Sequence, residues 1–211
     1  MRFKDGKHNR LIFVNGPPRS GKDTFFDVAS EFGGVLYKMT EPSDLALKAF
    51  LRLTDEEYKV WREERKSDLY IKGNIIGVAF RQLLINISEE FAKPSLGNSV
   101  FGELAVPRVL ELLGQDSVVI TDCGFQDEVR PIIREVHAQS PETEIHAVKV
   151  FREGCEWDSR EEVNFKEFGI TAYSLHNIDL DHYKAMVRAY FTEVLGVQAQ
   201  HPNYSFTGIK K

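Results

Sequence analysis

The fold is decided by residues 11–24, which read LIFVNGPPRSGKDT. The first four of these residues are apolar and rich in strand formers, and the run ends at Asn15-Gly16. This pattern predicts a strand that is buried on both faces of a parallel sheet. From Gly21 to about Glu31 the apolar side chains recur at helical spacing, and Gly33-Gly34 ends the pattern. The sequence therefore begins with a strand, a glycine-rich loop and a helix.

The loop fits the pattern G-x-x-x-x-G-K from Gly16 to Lys22. Glycines allow successive backbone N–H groups to curl around a phosphate, the helix N-terminus adds its positive dipole end, and the lysine bridges two phosphates. A turn that merely contains Gly-Lys at a helix start is the alternative interpretation. We predict a nucleotide-phosphate site formed by Gly16, Arg19, Ser20, Gly21, Lys22, Asp23 and Thr24.

One position departs from the usual pattern. Asp23 stands where a Ser or Thr hydroxyl normally binds Mg²⁺, and Thr24 follows it. Either Asp23 helps to hold the metal or its waters, or it caps its own helix and turns away from the ligand. Both Asp23 and Thr24 are therefore candidate metal ligands.

A second carboxylate follows another apolar strand. Asp122 ends the run Val118-Val119-Ile120-Thr121, where P-loop proteins place the carboxylate that orients Mg²⁺. Capping of the following helix is the alternative role. We therefore include Asp122 among the candidate metal residues.

Three arginines are candidates for contacts with transferring or accepted phosphates. Arg152 and Arg160 lie at the exit of a predicted strand and in a polar loop, where a lid would bring guanidinium groups onto the phosphates. Solvent-exposed surface residues are the alternative. Arg81 lies within an apolar helical stretch, and a buried arginine there needs an anionic partner. That partner is either an acceptor's phosphate or an internal glutamate.

The rest of the chain alternates strands with helices, which predicts an α/β domain with a mainly parallel sheet. Strands are expected at 11–14, 35–39, 117–122 and 145–151, and helices at 21–31, 75–91, 101–113, 126–137 and 179–195. A further helix should open at Glu41-Pro42 or at Ser43 and run to Leu51. An exposed, charged helical excursion is expected at 54–72, and His176-Asn177 should open the last helical segment. Residues 204–206 form either a late strand or a frayed end.

Composition limits the class of protein. The 211 residues are 42% hydrophobic and 28% charged, which suits one compact domain. A net charge of −5 disfavours coating of nucleic acid. No apolar run approaches the roughly 18 residues of a membrane span, and Cys123 and Cys155 form no metal or redox pair. We expect a cytoplasmic protein with neither a nucleic-acid nor a membrane partner.

The segment from Arg19 to Thr24 resembles the RSGKDT loop of bacteriophage deoxynucleoside monophosphate kinases, in which Asp stands in the hydroxyl position. Residues 80–84 resemble the family's R-x-x-L segment, and residues 119–122 resemble the strand before its D-x-R-F segment. Residues 149–152 and 158–161 resemble its strand and lid. Two positions depart from the family: Gly124 replaces an arginine, and Asn177-Ile178-Asp179 replaces N-D-G. If that arginine assists transfer in the family, then Arg130, Arg152 or Arg160 must substitute for it here, or the activity is altered.

The resemblance implies a single P-loop domain of three α/β/α layers over 1–211, with a helical acceptor-binding insertion at about 40–114 and a lid at about 152–168. It implies ATP and Mg²⁺ as cofactors and transfer of the γ-phosphoryl group to a deoxynucleoside monophosphate. Lys22, Arg81, Arg152 and Arg160 would be the catalytic residues. The partners would be small molecules, ATP and a nucleoside monophosphate. A phage-encoded protein of this kind would work in the host cytoplasm. The resemblance is also compatible with a homodimer.

Three other functions are compatible with the same loop. Phosphomevalonate kinases of the animal type resemble it and take a different small acceptor. A nucleotide-binding module without transfer is suggested only by Gly124. A nucleic-acid 5′-end kinase would need an extended basic stripe, which the sequence lacks.

Overall fold

The computed structural model describes residues 9–70, 77–158 and 162–199. The strands are β1 (Arg10–Asn15), β2 (Gly34–Tyr37), β3 (Leu69–Tyr70), β4 (Val78–Ala79), β5 (Ser117–Ile120), β6 (Glu144–Phe151) and β7 (Ala172–His176). The helices are α1 (Lys22–Glu31), α2 (Glu41–Leu51), α3 (Asp55–Lys59), α4 (Phe80–Ile85), α5 (Lys93–Leu96), α6 (Val100–Leu113), α7 (Gln126–Gln139) and α8 (Leu180–Ala189). Turns of π-helix extend α3 over Val60–Glu64, α4 over Asn86–Ala92 and α8 over Tyr190–Val194, and a 3₁₀ turn covers Phe165–Phe168.

The main sheet is parallel and has the strand order β2-β5-β1-β6-β7. β1 lies at its centre and is buried at every position, as the apolar run predicts. Its side chains alternate between two cores: Leu11 and Phe13 pack on the α6–α7 side, and Ile12 and Val14 pack on the α1–α8 side. Helices therefore cover both faces, and the predicted α/β/α architecture is confirmed.

The region between β2 and β5 has a small core of its own. Leu47, Leu51 and Leu53 pack there against Tyr70 and Phe80. One expectation for this part of the chain needs correction. The predicted helix at 75–91 begins only at Phe80, because Val78–Ala79 pairs with Leu69–Tyr70 as an antiparallel hairpin.

The predicted last helical segment also begins later than expected. His176 ends strand β7 instead of opening a helix, and Asp179 caps α8 by accepting the backbone N–H of His182 at 2.9 Å. β7 escaped prediction because it is an edge strand whose side chains are mostly exposed, so it shows no apolar run. Residues 204–206 and Arg160 lie outside the described residues. In the described part of the chain, every helix is too short or too polar to cross a bilayer.

Candidate phosphate-binding site

The loop from Gly16 to Gly21 joins the end of β1 to the start of α1, as predicted. Arg19 has a φ of 64° and Gly21 a φ of 115°, so the backbone turns through the left-handed region twice. The backbone N–H of Phe25 donates to the carbonyl of Gly21 at 2.9 Å and starts the helical ladder. The ammonium of Lys22 donates to the carbonyls of Gly16 and Pro17, both at 2.7 Å. This ammonium therefore lies at the mouth of the loop.

Two residues that are distant in the sequence, Asn177 and Tyr183, fix the conformation of the loop. The side-chain amide of Asn177 donates to the carbonyl of Ser20 at 2.8 Å, and the Tyr183 hydroxyl donates to that of Gly21 at 3.2 Å. A Cβ at Gly21 would lie 2.6 Å from Asn177 Nδ2, and one at Gly16 would lie 2.5 Å from the carbonyl oxygen of Val150. The glycines are therefore required by close packing as well as by backbone conformation.

A cleft of about 390 Å³ opens beside the loop. It brings together most of the predicted phosphate residues with Arg152, the first residue of the predicted lid. It is lined by Arg19, Gly21, Lys22, Asp23, Thr24, Arg152, Asn177, Asp179 and Leu180. Ser20 is buried and does not line the cleft, so its contribution would come from the backbone. A helix N-terminus, an ammonium and two guanidinium groups around one cleft suit an anionic ligand.

Arg152 is the predicted lid arginine that the structure describes. Its side chain is exposed, and Nη1 donates to the carbonyl of Arg19 at 3.3 Å, so it stands across the mouth of the loop. Arg130, by contrast, pairs with Glu167 at 3.5 Å and lies over the ring of Phe168. Of these two, only Arg152 lines the cleft.

The segment predicted to form a lid is anchored to the strand that precedes the loop. Asn15 is fully buried, its amide donates to the carbonyl of Cys123 at 2.8 Å, and its Oδ1 accepts the N–H of Val163 at 3.2 Å. Lys149 and Glu162 form an ion pair of 2.6 Å beside it. Sequence reasoning missed Asn15 because an amide before a phosphate loop has no recognisable spacing of its own.

Asp23 reaches a partner that the sequence did not indicate. Its Oδ1 lies 3.0 Å from the Nζ of Lys38, which also donates to the hydroxyl of Thr121 at 2.9 Å. Desolvation by the surrounding chain opposes ionisation, yet the ammonium groups of Lys38, Lys22 and Lys66 lower the pKa of Asp23. The alternative of a helix cap is wrong, because α1 has no side-chain cap.

Asp122 does not cap the helix that follows it. Its two oxygens accept the backbone N–H groups of Met39 at 2.9 Å and Thr40 at 3.1 Å, which ties the end of β5 to the start of α2. Helix α7 begins after Phe125 without a side-chain cap. Burial raises the pKa of Asp122, although these bonds and Lys38 oppose the change.

The residues present fit a magnesium ion of the kind that binds with a nucleotide. Such an ion takes one or two carboxylates together with phosphates and waters. Asp23 offers an ionised carboxylate that is 91% exposed beside Thr24 in the cleft. Nowhere in the described ranges do three or more His, Cys, Asp or Glu side chains converge on a metal site, so substrate oxygens would complete the coordination. Asp122 fits less well, since backbone donors occupy both of its oxygens.

Arg81 does not have the burial expected of it. Its side chain is exposed at the first turn of α4, and its backbone N–H donates to the carbonyl of Lys66 at 2.8 Å. Phe80 turns inward instead and is fully buried. An exposed guanidinium needs no internal ion pair, and the described part of the chain provides none for it.

Comparisons with known proteins assign no family to this chain. No family profile matches the chain, and no curated protein sequence matches it. Among solved structures, a protein of Chloroflexus aurantiacus provisionally named a kinase is 12% identical over 92% of this chain and 100% of its own, with a TM-score of 0.46. The APS kinase of Mycobacterium tuberculosis is 12% identical over 89% and 99%, with a TM-score of 0.41. Thymidylate kinase of Candida albicans is 10% identical over 92% and 96%, with a TM-score of 0.41. TM-scores below 0.5 assign no activity or substrate to this chain.

Proposed function

We propose that this protein is an ATP-dependent phosphotransferase that converts a deoxynucleoside monophosphate to the diphosphate. The observation that supports this most strongly is that Lys22, the N-terminus of α1 and Arg152 line the same cleft. Several cationic groups around one cleft suit a phosphoryl group that carries negative charge while it is transferred between two oxygens.

In this proposal, the loop backbone and Lys22 hold the donor phosphates. A phosphate oxygen of the acceptor attacks the γ-phosphorus, the new P–O bond forms, and the bond to the β–γ bridging oxygen breaks, which releases ADP. A magnesium ion held with the help of Asp23 and Thr24 would neutralise charge on the phosphates. Arg81, on the exposed first turn of α4, would orient the acceptor phosphate.

Arg152 and Arg160 would close over the transferring group. The protein needs them to exclude water, because an open cleft would hydrolyse ATP without an acceptor. Arg152 already stands at the loop mouth through its bond to Arg19. The family's arginine is absent at Gly124, so Arg152 is the described residue best placed to replace it.

The test is ADP release from Mg-ATP with each deoxynucleoside and ribonucleoside monophosphate in turn, beside a reaction without acceptor. We expect turnover only with particular deoxynucleoside monophosphates. Turnover with a different phosphorylated small molecule would reassign the acceptor, and tight ATP binding without any turnover would contradict the enzyme and favour a nucleotide-binding module.

A further inference from the structure

The aspartate at position 23 raises an electrostatic problem. Loops of this type carry a neutral hydroxyl after the lysine, and a carboxylate there faces the anionic ligand. Asp23 lines the cleft and its side chain is 91% exposed, so its charge is directed to the place where phosphates would bind. Like charges a few ångströms apart repel one another, and the loop needs a means of cancelling this charge.

Lys38 lies close enough to Asp23 to cancel the charge of its carboxylate. Its Nζ lies 3.0 Å from Asp23 Oδ1, and it is also fixed by the 2.9 Å bond to Thr121. Lys38 follows β2 and Thr121 follows β5, and these two strands are neighbours in the sheet. The sheet therefore holds the ammonium over Asp23, and only 34% of the lysine side chain is exposed.

We propose that Lys38 is a positioning residue that neutralises Asp23 and thereby strengthens the binding of a nucleoside diphosphate or triphosphate to the loop. This inference rests on one part of the proposed function, namely that the loop binds the phosphates of a nucleotide. Lys38 acts through Asp23, so its importance depends on the aspartate being present. That dependence distinguishes it from a lysine that touches the phosphates directly.

The experiment is a double-mutant cycle on the binding of metal-free ADP in the presence of EDTA, measured by calorimetry. Lys38→Met should weaken binding about fivefold, as expected for loss of a partly exposed ion pair. Asp23→Asn should bind ADP at least as tightly as the unchanged protein. The double variant should return to within about twofold of Asp23→Asn, because no carboxylate is left to neutralise.

Two controls separate this role from a general effect of charge or folding. Lys38→Arg should bind ADP as the unchanged protein does. Lys48→Met is the matched control, because Lys48 forms an ion pair with Asp55 whose side chains have a similar exposure, 29% and 85%. It removes the same charge from the protein and should leave ADP binding unchanged. Thermal unfolding of each variant reports whether it is folded.

Three results would overturn the inference: an unchanged affinity in Lys38→Met, an equal loss on the Asp23→Asn background, or weaker binding by Asp23→Asn alone. The Asp23→Asn result does not depend on the stability of Lys38→Met. Asp23 is exposed, so its replacement leaves the core unchanged and tests the inference even if Lys38→Met does not fold. Failure of the proposed function looks different, because turnover would then be absent while the ADP-binding cycle stays intact.

Discussion

The side chain of Asn177 holds the main chain of Ser20 through a 2.8 Å hydrogen bond, although 157 positions separate the two residues. The bond brings the residue after β7 directly beneath the phosphate loop. Any atom added at Gly21 must enter this contact, which makes the position a sensitive test of how the loop is shaped.

Gly21→Ala should destabilise the protein strongly. The new Cβ would lie 2.6 Å from Asn177 Nδ2 and 3.0 Å from Tyr183 Cε1, at a φ of 115°. We expect a loss of about 3 kcal/mol in the free energy of unfolding by urea, from backbone strain and the clash together. Gly169→Ala is the matched control, because its φ is 73° and its Cβ meets no described atom within 4 Å. A loss of about 1 kcal/mol is expected there, and equal losses would refute the role of the clash.

Lys22→Ala should abolish phosphoryl transfer. The ammonium is the only charged side-chain end that the structure places on the carbonyls of Gly16 and Pro17, among the residues described. We expect turnover to fall by about a hundredfold or more. Lys184→Ala removes a lysine that does not line the cleft and should keep full turnover. Retained turnover in Lys22→Ala would place the reaction elsewhere.

Arg152→Met should lower kcat more than it changes the affinity for ATP. The guanidinium at the loop mouth would serve mainly the transition state, where charge spreads over the transferred oxygens. A fall of about a hundredfold in kcat is expected from steady-state kinetics. Arg130→Met is the control, because Arg130 is engaged with Glu167 and Phe168. If both variants lose activity equally, the assignment of the lid arginine is wrong.

The buried carboxyl of Glu128 should make the stability of the protein depend on pH. The residue is 4% exposed and lies 3.2 Å from the ammonium of Lys93. Desolvation, with Asp122 and Glu89 nearby, raises the pKa of its carboxyl from 4.5 to about 7, although Lys93 opposes the rise. Between these values the folded protein holds more protons than the unfolded chain. Glu128 therefore lowers stability as the pH rises through this window.

Glu128→Gln removes this dependence because an amide does not ionise. The stability of the variant relative to the unchanged protein should rise between pH 5 and pH 7, by at most about 1.4 kcal/mol per pH unit. Urea unfolding at pH 5, 6 and 7 measures the difference, in which all other titrating groups cancel. A difference that stays constant with pH would show that Glu128 is ionised throughout.

Much of the fold follows from local patterns in the sequence. The apolar runs in β1, β5 and β6 predict buried strands, and the G-x-x-x-x-G-K spacing places the phosphate loop between β1 and α1. These signals are strong because burial on both faces of a sheet excludes polar residues over several consecutive positions. The strand and helix around the loop lie within two residues of their predicted bounds.

The contacts between distant segments do not follow from local patterns. Lys38 meets Thr121, and Asp122 meets Met39, because β2 and β5 are neighbours in the sheet. Lys38 reaches Asp23 of α1 because β5 in turn lies beside β1, the strand that leads into α1. Strand order is a property of the whole chain. The exposure of Arg81 escaped prediction for a different reason. Neighbouring residues of a helix point in different directions, so Phe80 is buried while Arg81, the next residue, is exposed. Because most residues around Arg81 are apolar, the sequence does not show which side of this helix faces the core.

The hold of Asn177 and Tyr183 on the loop also determines when the loop is assembled during synthesis. The ribosome adds about 5–20 residues per second, so roughly 10 to 30 s pass between translation of the loop and translation of the residues that shape it. The loop is therefore completed only after β7 has paired with β6 and α8 has packed against α1.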